Sequence, residues 1–207
     1  MKTCLIITGG ERSPIPQIDA CDLVIACDHG YEYAKSVGIR PDLFIGDFDS
    51  ISEKEVSDEK IPVLRYPVEK DDSDTMLAVK YALREGYDHL ILTCALGGRL
   101  DHLLANLQTL GFVASHGALA ELCGENEYIR TFTGGELKLP KREGYSLSLF
   151  SLSDRCEDLC VDGAAYTASH IELTNTFPLG LSNQWNEETV RISMTKGILL
   201  IVESRMP

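Results

Sequence analysis

Short apolar runs divide the first half of the chain, and turn residues or segments with helical spacing separate them. The runs occupy residues 5–7, 23–26, 43–45, 63–64 and 90–92. Short continuous apolar strands are typical of a parallel sheet that is covered on both faces, because neither side of such a strand can face water. The pattern therefore predicts an α/β unit with a mostly parallel sheet, Rossmann-like and three-layered.

The pattern changes beyond about residue 124. Residues 128–132, 145–150 and 190–194 alternate between apolar and polar, and residues 197–202 end the chain as an apolar run. Such alternation is typical of antiparallel strands with one face in a core. We therefore expect two domains, an α/β domain over residues 1–124 and an antiparallel β-sandwich domain over residues 125–207.

Two helices are predicted with defined starting points. The first covers residues 73–85, and its core-facing residues recur at helical spacing: Met76, Val79, Ala82 and Leu83. The second begins near residue 100, where an apolar stripe leaves His102 and Asn106 on another face. The residues of this stripe are Leu100, Leu103, Leu104, Leu107 and Leu110.

Two short acidic clusters occupy residues 46–50 (Gly-Asp-Phe-Asp-Ser) and 70–75 (Lys-Asp-Asp-Ser-Asp-Thr). Asp47 and Asp49 alternate, so an extended backbone directs both carboxylates to one side, where they repel each other unless a cation lies between them. Mg²⁺ combines carboxylates, waters and phosphate oxygens as ligands. Either cluster alone is better explained by turns and helix capping. Because Asp47 follows a predicted strand, where open α/β sheets bind ligands, we favour a magnesium site.

A third motif, Gly-Gly-Arg-Leu-Asp-His, occupies residues 97–102 and joins a predicted strand to the second helix. Paired glycines let backbone amides approach an anion, a helix start adds a favourable dipole, and Arg99 can bind a phosphate with parallel N–H groups. The motif therefore indicates a phosphate-binding loop. Taken alone, it is also consistent with a capped helix that carries a surface histidine.

In this order, the motifs closely resemble those of the thiamine pyrophosphokinase family. The resemblance begins at residues 27–30 (Cys-Asp-His-Gly), where the family usually shows Ala-Asp-Gly-Gly, and continues through the acidic clusters and the Gly-Gly-Arg motif. Near the C-terminus, residues 180–183 (Gly-Leu-Ser-Asn) are similar to the thiamine-side signature of the family, and residues 163–166 to the strand entry before it. His29 departs from the family glycine, so the backbone there is less free to adopt positive φ.

The resemblance implies transfer of the pyrophosphoryl group of ATP to the hydroxyl group of thiamine, with Mg²⁺ bound. Its metal ligands would be Asp47, Asp49 and Asp74, with Asp71 as the next candidate, and these carboxylates and Arg99 would be the catalytic set. Which carboxylate takes the hydroxyl proton stays open. The expected ATP contacts are Asp28, Gly97, Gly98, Arg99, Asp101 and His102.

The resemblance also implies a homodimer with each site at the subunit interface. Ser182 and Asn183 would bind thiamine and face the N-terminal domain of the partner chain, and Trp185 would stack on a ring or pack. Two alternatives stay open: a non-catalytic regulator that binds metal or nucleotide, and an enzyme that passes pyrophosphate to another alcohol or hydrolyses nucleotides.

Charge and cysteine content bear on partners and location. The net charge of −13 argues against a nucleic-acid partner, because binding to phosphate backbones depends on Lys and Arg. Seven cysteines, an odd number without zinc-like spacing, indicate reduced thiols and a cytoplasmic location. No apolar stretch approaches the length of a transmembrane helix or a signal peptide, so we expect no membrane partner.

Overall fold

The computed structural model describes residues 1–16, 21–46, 60–65 and 72–207. The helices in these ranges are α1 (Gly30–Ser36), α2 (Asp74–Arg84) and α3 (Leu100–Ser115). The strands of the first half are β1 (Thr3–Ile7), β2 (Leu23–Cys27), β3 (Leu43–Gly46), β4 (Val63–Arg65), β5 (His89–Thr93) and β6 (Leu119–Cys123). Those of the second half are β7 (Glu127–Phe132), β8 (Gly135–Pro140), β9 (Tyr145–Ser151), β10 (Arg155–Asp162), β11 (Ala168–Thr174), β12 (Gly180–Asn183), β13 (Thr189–Met194) and β14 (Leu199–Arg205).

The strands form one large mixed sheet and one separate antiparallel sheet. The large sheet has ten strands in the order β12-β9-β14-β7-β6-β5-β1-β2-β3-β4, and the second has the order β11-β10-β13-β8. Strands β1 to β6 pair in parallel, and the pairing becomes antiparallel where β6 meets β7. The fold is thus a mixed α/β fold, as the change of pattern near residue 124 predicts.

The large sheet continues across the predicted domain boundary. Residue 124 lies between β6 and β7, which pair with each other, and β7 pairs in turn with β14. Strands of the second half therefore extend the sheet of the first half.

The parallel strands are buried on both faces, as their continuous apolar sequence requires. On one face, Cys4 and Ile6 of β1 belong to a core that also holds buried residues of α2 and α3. On the other face, Leu5 and Ile7 pack with Ala34 of α1. Successive residues of one strand thus reach opposite layers of helices.

A second core lies between the two sheets. The large sheet contributes residues of β9 and β14, and the smaller sheet contributes residues of all four of its strands. Trp185 belongs to this core, and its indole N–H donates to Leu139 O at 3.2 Å. Of the two roles considered for Trp185, the described structure therefore shows packing.

Both predicted helices are confirmed, but the apolar stripe of α3 is partly wrong. Leu110 is buried and Leu103 and Leu107 are half-buried, whereas Leu100 and Leu104 are 69% and 54% exposed. Helix α3 packs against α2, β6 and β7. Leu100 and Leu104 lie in the N-terminal half of the helix, beside its buried face. No helix in the described residues is long and apolar enough to cross a membrane.

A buried carboxylate joins the strands of the second half. Glu203 on β14 is only 3% exposed and accepts a hydrogen bond from Arg142 Nε at 2.7 Å, while Arg130 Nη2 lies 3.8 Å from its other oxygen. The Arg142 guanidinium lies over the Tyr128 ring, 3.7 Å from its centroid. A buried charge needs such partners, since an unpaired carboxylate is strongly destabilising.

We expect Arg142→Met to lower the free energy of unfolding by about 3 kcal/mol, because it leaves the Glu203 carboxylate with only its longer contact to Arg130. The double variant with Glu203→Gln should recover much of this loss, because no buried charge is left. Urea denaturation measures both, and Lys138→Met, which breaks an exposed ion pair, is the control. A loss for Arg142→Met no larger than that of the control would contradict this account.

Candidate active site

A cleft of about 840 Å³ lies where the carboxyl ends of β1, β2 and β5 meet. Its walls come from the segments that follow these strands and from the first residues of α2 and α3. Because β1 pairs in parallel with both β2 and β5, these strand ends open at one edge of the sheet. Parallel α/β sheets commonly bind ligands at such an edge.

The cleft brings together all of the described residues that were predicted to bind ATP or metal. Its lining includes Asp28, Asp74, Gly97, Gly98, Arg99, Asp101 and His102. Asp47, Asp49 and Asp71 lie outside the described residues. Ser182 and Asn183 lie on β12 and do not line this cleft.

The Gly97-Gly98 turn adopts a backbone conformation that side chains disfavour. Gly97 and Gly98 have φ values of 76° and 66°, and a Cβ atom on Gly97 would overlap the Glu11 carboxylate. The backbone N–H of Gly98 donates to Glu11 Oε2 at 3.1 Å. The turn therefore directs an amide into the cleft, as a phosphate-binding loop requires.

Arg99, Asp101 and His102 form a connected group at the start of α3. Arg99 Nε donates to Asp101 Oδ1 at 3.1 Å and its Nη2 donates to Oδ2, while the His102 backbone N–H donates to Oδ1 at 3.0 Å. Hydrogen bonding from Arg99 lowers the pKa of Asp101, and the same contact raises the pKa of Arg99. Both side chains are exposed, so Arg99 is accessible to a ligand.

Asp28 occupies the end of β2 in an unusual backbone conformation. Its φ is 46°, whereas His29 has a φ of −55° and occupies the N-cap position of α1 without a side-chain capping hydrogen bond. The departure from glycine at position 29 therefore costs little, because the positive φ falls on Asp28. Gly46 at the end of β3 admits the Asp28 carboxylate, since a Cβ atom there would lie 2.6 Å from Asp28 Oδ1. Asp28 thus lies beside the residue that immediately precedes Asp47.

Asp74 is the first residue of α2, and the preceding serine fixes where the helix begins. Ser73 Oγ accepts a hydrogen bond from the Met76 N–H at 3.2 Å, the usual N-cap interaction. This cap places Asp74, which is half-buried, in the wall of the cleft. The positive end of the helix dipole favours a negative charge there.

Sequence reasoning missed several residues that shape the cleft. One is Glu11, which follows β1 and lines the cleft. Another is Asn106, whose Nδ2 donates a hydrogen bond to Ala95 O at 2.8 Å and so connects α3 to the segment after β5. Thr8 Oγ1 donates to the carbonyl of Cys94, whose φ is 57°. The sequence could have indicated Glu11, because it follows a pair of glycines, Gly9 and Gly10, that comes shortly after an apolar strand. Gly97 and Gly98 follow β5 in a similar way.

Asn183 performs a structural task in the described chain. It is 8% exposed, its Oδ1 accepts from the N–H groups of Tyr166 and Gln184, and its Nδ2 donates to Tyr166 O at 2.7 Å. Asn183 thus holds the backbone of the 163–166 segment and leaves the Tyr166 side chain 75% exposed. Ser182 is exposed with a φ of 59°, and its N–H donates to Ser148 Oγ.

No group of three or more His, Cys, Asp or Glu side chains suited to holding a metal occurs within residues 1–16, 21–46, 60–65 and 72–207. The carboxylates of Asp28 and Asp74 nevertheless line one cleft, and Asp28 lies against Gly46. Carboxylate oxygens are the ligands that Mg²⁺ prefers. The chemistry of these two described donors therefore fits Mg²⁺.

Comparison with known proteins gives one consistent result. Residues 16–118 match the thiamin pyrophosphokinase catalytic-domain family. A thiamine pyrophosphokinase of Bacillus subtilis (strain 168) is 32% identical over 212 residues, which cover 99% of each chain. The crystal structure of a thiamine pyrophosphokinase from Bacillus subtilis matches with a TM-score of 0.88 at 29% identity, again over 99% of each chain. A thiamin pyrophosphokinase family protein from Enterococcus faecalis matches with a TM-score of 0.85 at 27% identity over 100% of both chains.

The contact between Asn106 and Ala95 O predicts a specific loss of stability. We expect Asn106→Asp to lower the free energy of unfolding by about 1–3 kcal/mol, because a carboxylate would then face a carbonyl oxygen in place of a donor. Chemical denaturation measures this loss. Gln108→Glu makes the same replacement at an exposed position of α3 and should change stability by less than about 0.5 kcal/mol. Equal effects would show that the Asn106 hydrogen bond does not hold the segment.

Proposed function

Because the chain belongs to the thiamine pyrophosphokinase family, we propose that it transfers the pyrophosphoryl group of ATP to the hydroxyl group of thiamine. The products are thiamine diphosphate and AMP. One observation carries this proposal: a single cleft combines the carboxylates of Asp28 and Asp74 with the Gly97-Gly98-Arg99 loop. These are the groups that magnesium-dependent chemistry on a nucleoside triphosphate needs.

Each part of the cleft has a distinct task in this proposal. The Gly98 amide and the positive end of α3 hold phosphate oxygens, and Arg99 contacts the transferring group with its planar guanidinium. Asp101 orients Arg99 through the paired hydrogen bonds and fixes the first turn of α3, next to His102. Phosphoryl transfer depends mainly on positioning and charge stabilisation, which such fixed donors supply.

We propose Asp47, Asp49 and Asp74 as ligands of Mg²⁺, with Asp71 beside them and Asp28 contacting ATP. The closeness of Asp28 to Gly46 supports this arrangement, because Gly46 immediately precedes Asp47. Bound Mg²⁺ would neutralise phosphate charge and make the β-phosphorus of ATP, which the thiamine hydroxyl group attacks as AMP leaves, more electrophilic. The carboxylates hold the metal and the Asp28 side chain faces the nucleotide, while a carboxylate of this group accepts the proton of the thiamine hydroxyl group.

We also propose that the two halves of the chain form two domains that bind different substrates. Residues 1–124 form a Rossmann-like three-layer domain that binds ATP and metal, since α1 covers one face of the parallel strands and α2 and α3 cover the other. Residues 125–207 form a β-sandwich domain that binds thiamine, supported by the shared core of the two sheets.

A homodimer with thiamine bound between subunits is part of the proposal. Ser182 and Asn183 do not line the cleft of their own chain, and the exposed Ser182 is available to a partner's cleft. Leu179 and Leu181 beside them are 56% and 61% exposed, and an interface would cover these apolar side chains. Since hydrogen bonds engage the Asn183 side chain within the chain, Ser182 and Tyr166 are the groups of this region that reach a ligand.

The proposed location is the cytoplasm, and the proposed partners are small molecules. All seven cysteines lie in the described residues and none of them forms a disulfide, which suits a reducing compartment. The net charge of −13 disfavours nucleic acid.

Product analysis tests the activity directly. The purified protein is incubated with ATP, Mg²⁺ and thiamine, and the products are separated by chromatography. We expect equal amounts of AMP and thiamine diphosphate. ADP with thiamine monophosphate would indicate an ordinary kinase, nucleotide hydrolysis without a thiamine product would indicate a hydrolase, and no turnover would favour a regulator.

We expect Arg99→Lys to reduce kcat/KM for ATP by at least about tenfold, because lysine keeps the charge and loses the planar pair of donors. Thiamine binding, followed by calorimetry, should change little. Arg84→Lys, on the exposed end of α2, is the matched control. If Arg99→Lys weakens ATP and thiamine equally and also lowers the melting temperature, then Arg99 maintains the fold.

The shared site predicts complementation between inactive chains. Asp74→Asn removes a metal ligand, and Ser182→Trp blocks the thiamine side, so each homodimer should be inactive. Mixed dimers should regain activity, because one of their two sites carries both intact halves. Subunit exchange is verified by native mass spectrometry. Exchange without any recovery of activity would place both halves of the site in one chain.

A further inference from the structure

Glu11 occupies the place where the Gly97-Gly98 loop would receive an anion. Its Oε2 accepts the hydrogen bond of the Gly98 N–H at 3.1 Å, and the carboxylate lies against the Cα of Gly97. A carboxylate oxygen on a backbone amide is chemically equivalent to a phosphate oxygen on that amide, since both are anionic acceptors. The Glu11 carboxylate and a phosphate group would therefore use the same backbone donor.

The segment that carries Glu11 is anchored on both sides of it. Tyr33 Oη donates to Gly10 O at 3.1 Å, and Arg12 Nη2 donates to Ser36 Oγ at 2.7 Å, which ties the segment to α1. Ser13 Oγ accepts from the Cys94 N–H at 3.2 Å and ties it to the end of β5. These anchors fix the backbone at Glu11, so its side chain alone moves when it leaves the loop.

Among the described residues, no cationic side chain forms an ion pair with Glu11. Arg99, at the end of the same loop, pairs with Asp101. An incoming phosphate group therefore meets both a competitor for the Gly98 amide and a repelling negative charge.

We propose that Glu11 weakens nucleotide binding, because its carboxylate competes with the phosphate groups of the nucleotide for the Gly97-Gly98 loop. This inference rests on the proposed function for the identity of the nucleotide. The carboxylate satisfies the Gly98 amide while the cleft is empty, and it withdraws when a polyphosphate binds. Every polyphosphate ligand pays the same displacement cost, so Glu11 raises the concentration of ATP needed to fill the cleft.

Glu11→Gln tests the competition, because glutamine keeps an acceptor for the Gly98 amide and removes only the charge. We expect it to lower Kd for a non-hydrolysable ATP analogue with Mg²⁺ about fivefold, the factor expected for one close charge pair in water. Calorimetric titration measures Kd for the analogue and, separately, for pyrophosphate, which should tighten by a similar factor. Glu85→Gln makes the same change at the far end of α2 and should leave both values within about twofold of wild type.

Steady-state kinetics distinguish this role of Glu11 from a purely structural one. Glu11→Gln should lower KM for ATP and leave kcat within about twofold, because Glu11 has left the loop when ATP is bound. Unchanged or weaker binding would overturn the proposal, as would a large fall in kcat at constant KM. Absence of pyrophosphate and analogue binding in all variants would overturn it too, because the loop would then not be an anion site.

The same measurements distinguish a failure of this inference from a failure of the proposed function. If wild type makes thiamine diphosphate and Glu11→Gln does not tighten binding, the activity stands and the role of Glu11 is wrong. If Glu11→Gln tightens pyrophosphate binding but no thiamine diphosphate forms, the role of Glu11 stands and the proposed reaction is wrong.

Discussion

The parallel pairing of β1 with both β2 and β5 is the constraint on which the rest of the site depends. It makes three strands end at one edge, so that residues far apart in the chain, such as Glu11, Asp28 and Arg99, line one cleft. The pairing is stabilised by burial on both faces, with alternate residues of β1 in the two layers of the core. The position of the cleft therefore follows from packing in the core.

The glycines at this edge of the sheet and the charges of the cleft side chains then determine which ligands can bind there. Gly46 admits the Asp28 carboxylate, and the turn at Gly97 and Gly98 directs an amide towards Glu11. An acidic cleft in an acidic protein repels a bare polyphosphate, and a divalent cation removes that repulsion. In the proposed mechanism, the carboxylates that bind the metal also repel the phosphate groups of the nucleotide, and Glu11 adds to this repulsion.

Much of this arrangement could be predicted from the sequence because it depends on local patterns. The apolar runs predicted β1 to β5, and the helix predicted over residues 73–85 corresponds to α2, because strand burial and helix capping act over a few residues. The contact of Glu11 with Gly98 joins segments that are 87 residues apart, and no local pattern encodes it. Likewise, Asn183 resembles a ligand in sequence, but its amide holds the backbone of Tyr166. The continuous sheet across residue 124 was missed because strand order is a property of tertiary pairing.

A structure of the protein with a non-hydrolysable ATP analogue and Mg²⁺ tests the central claim, that one cleft binds the reacting phosphates, most directly. The account predicts phosphate oxygens at the Gly98 amide and the Arg99 guanidinium, the metal bound by Asp74 and by carboxylates of residues 46–50, and the Glu11 side chain turned away from the loop. Phosphates bound elsewhere, or at this cleft with Glu11 still on the Gly98 amide, would contradict it.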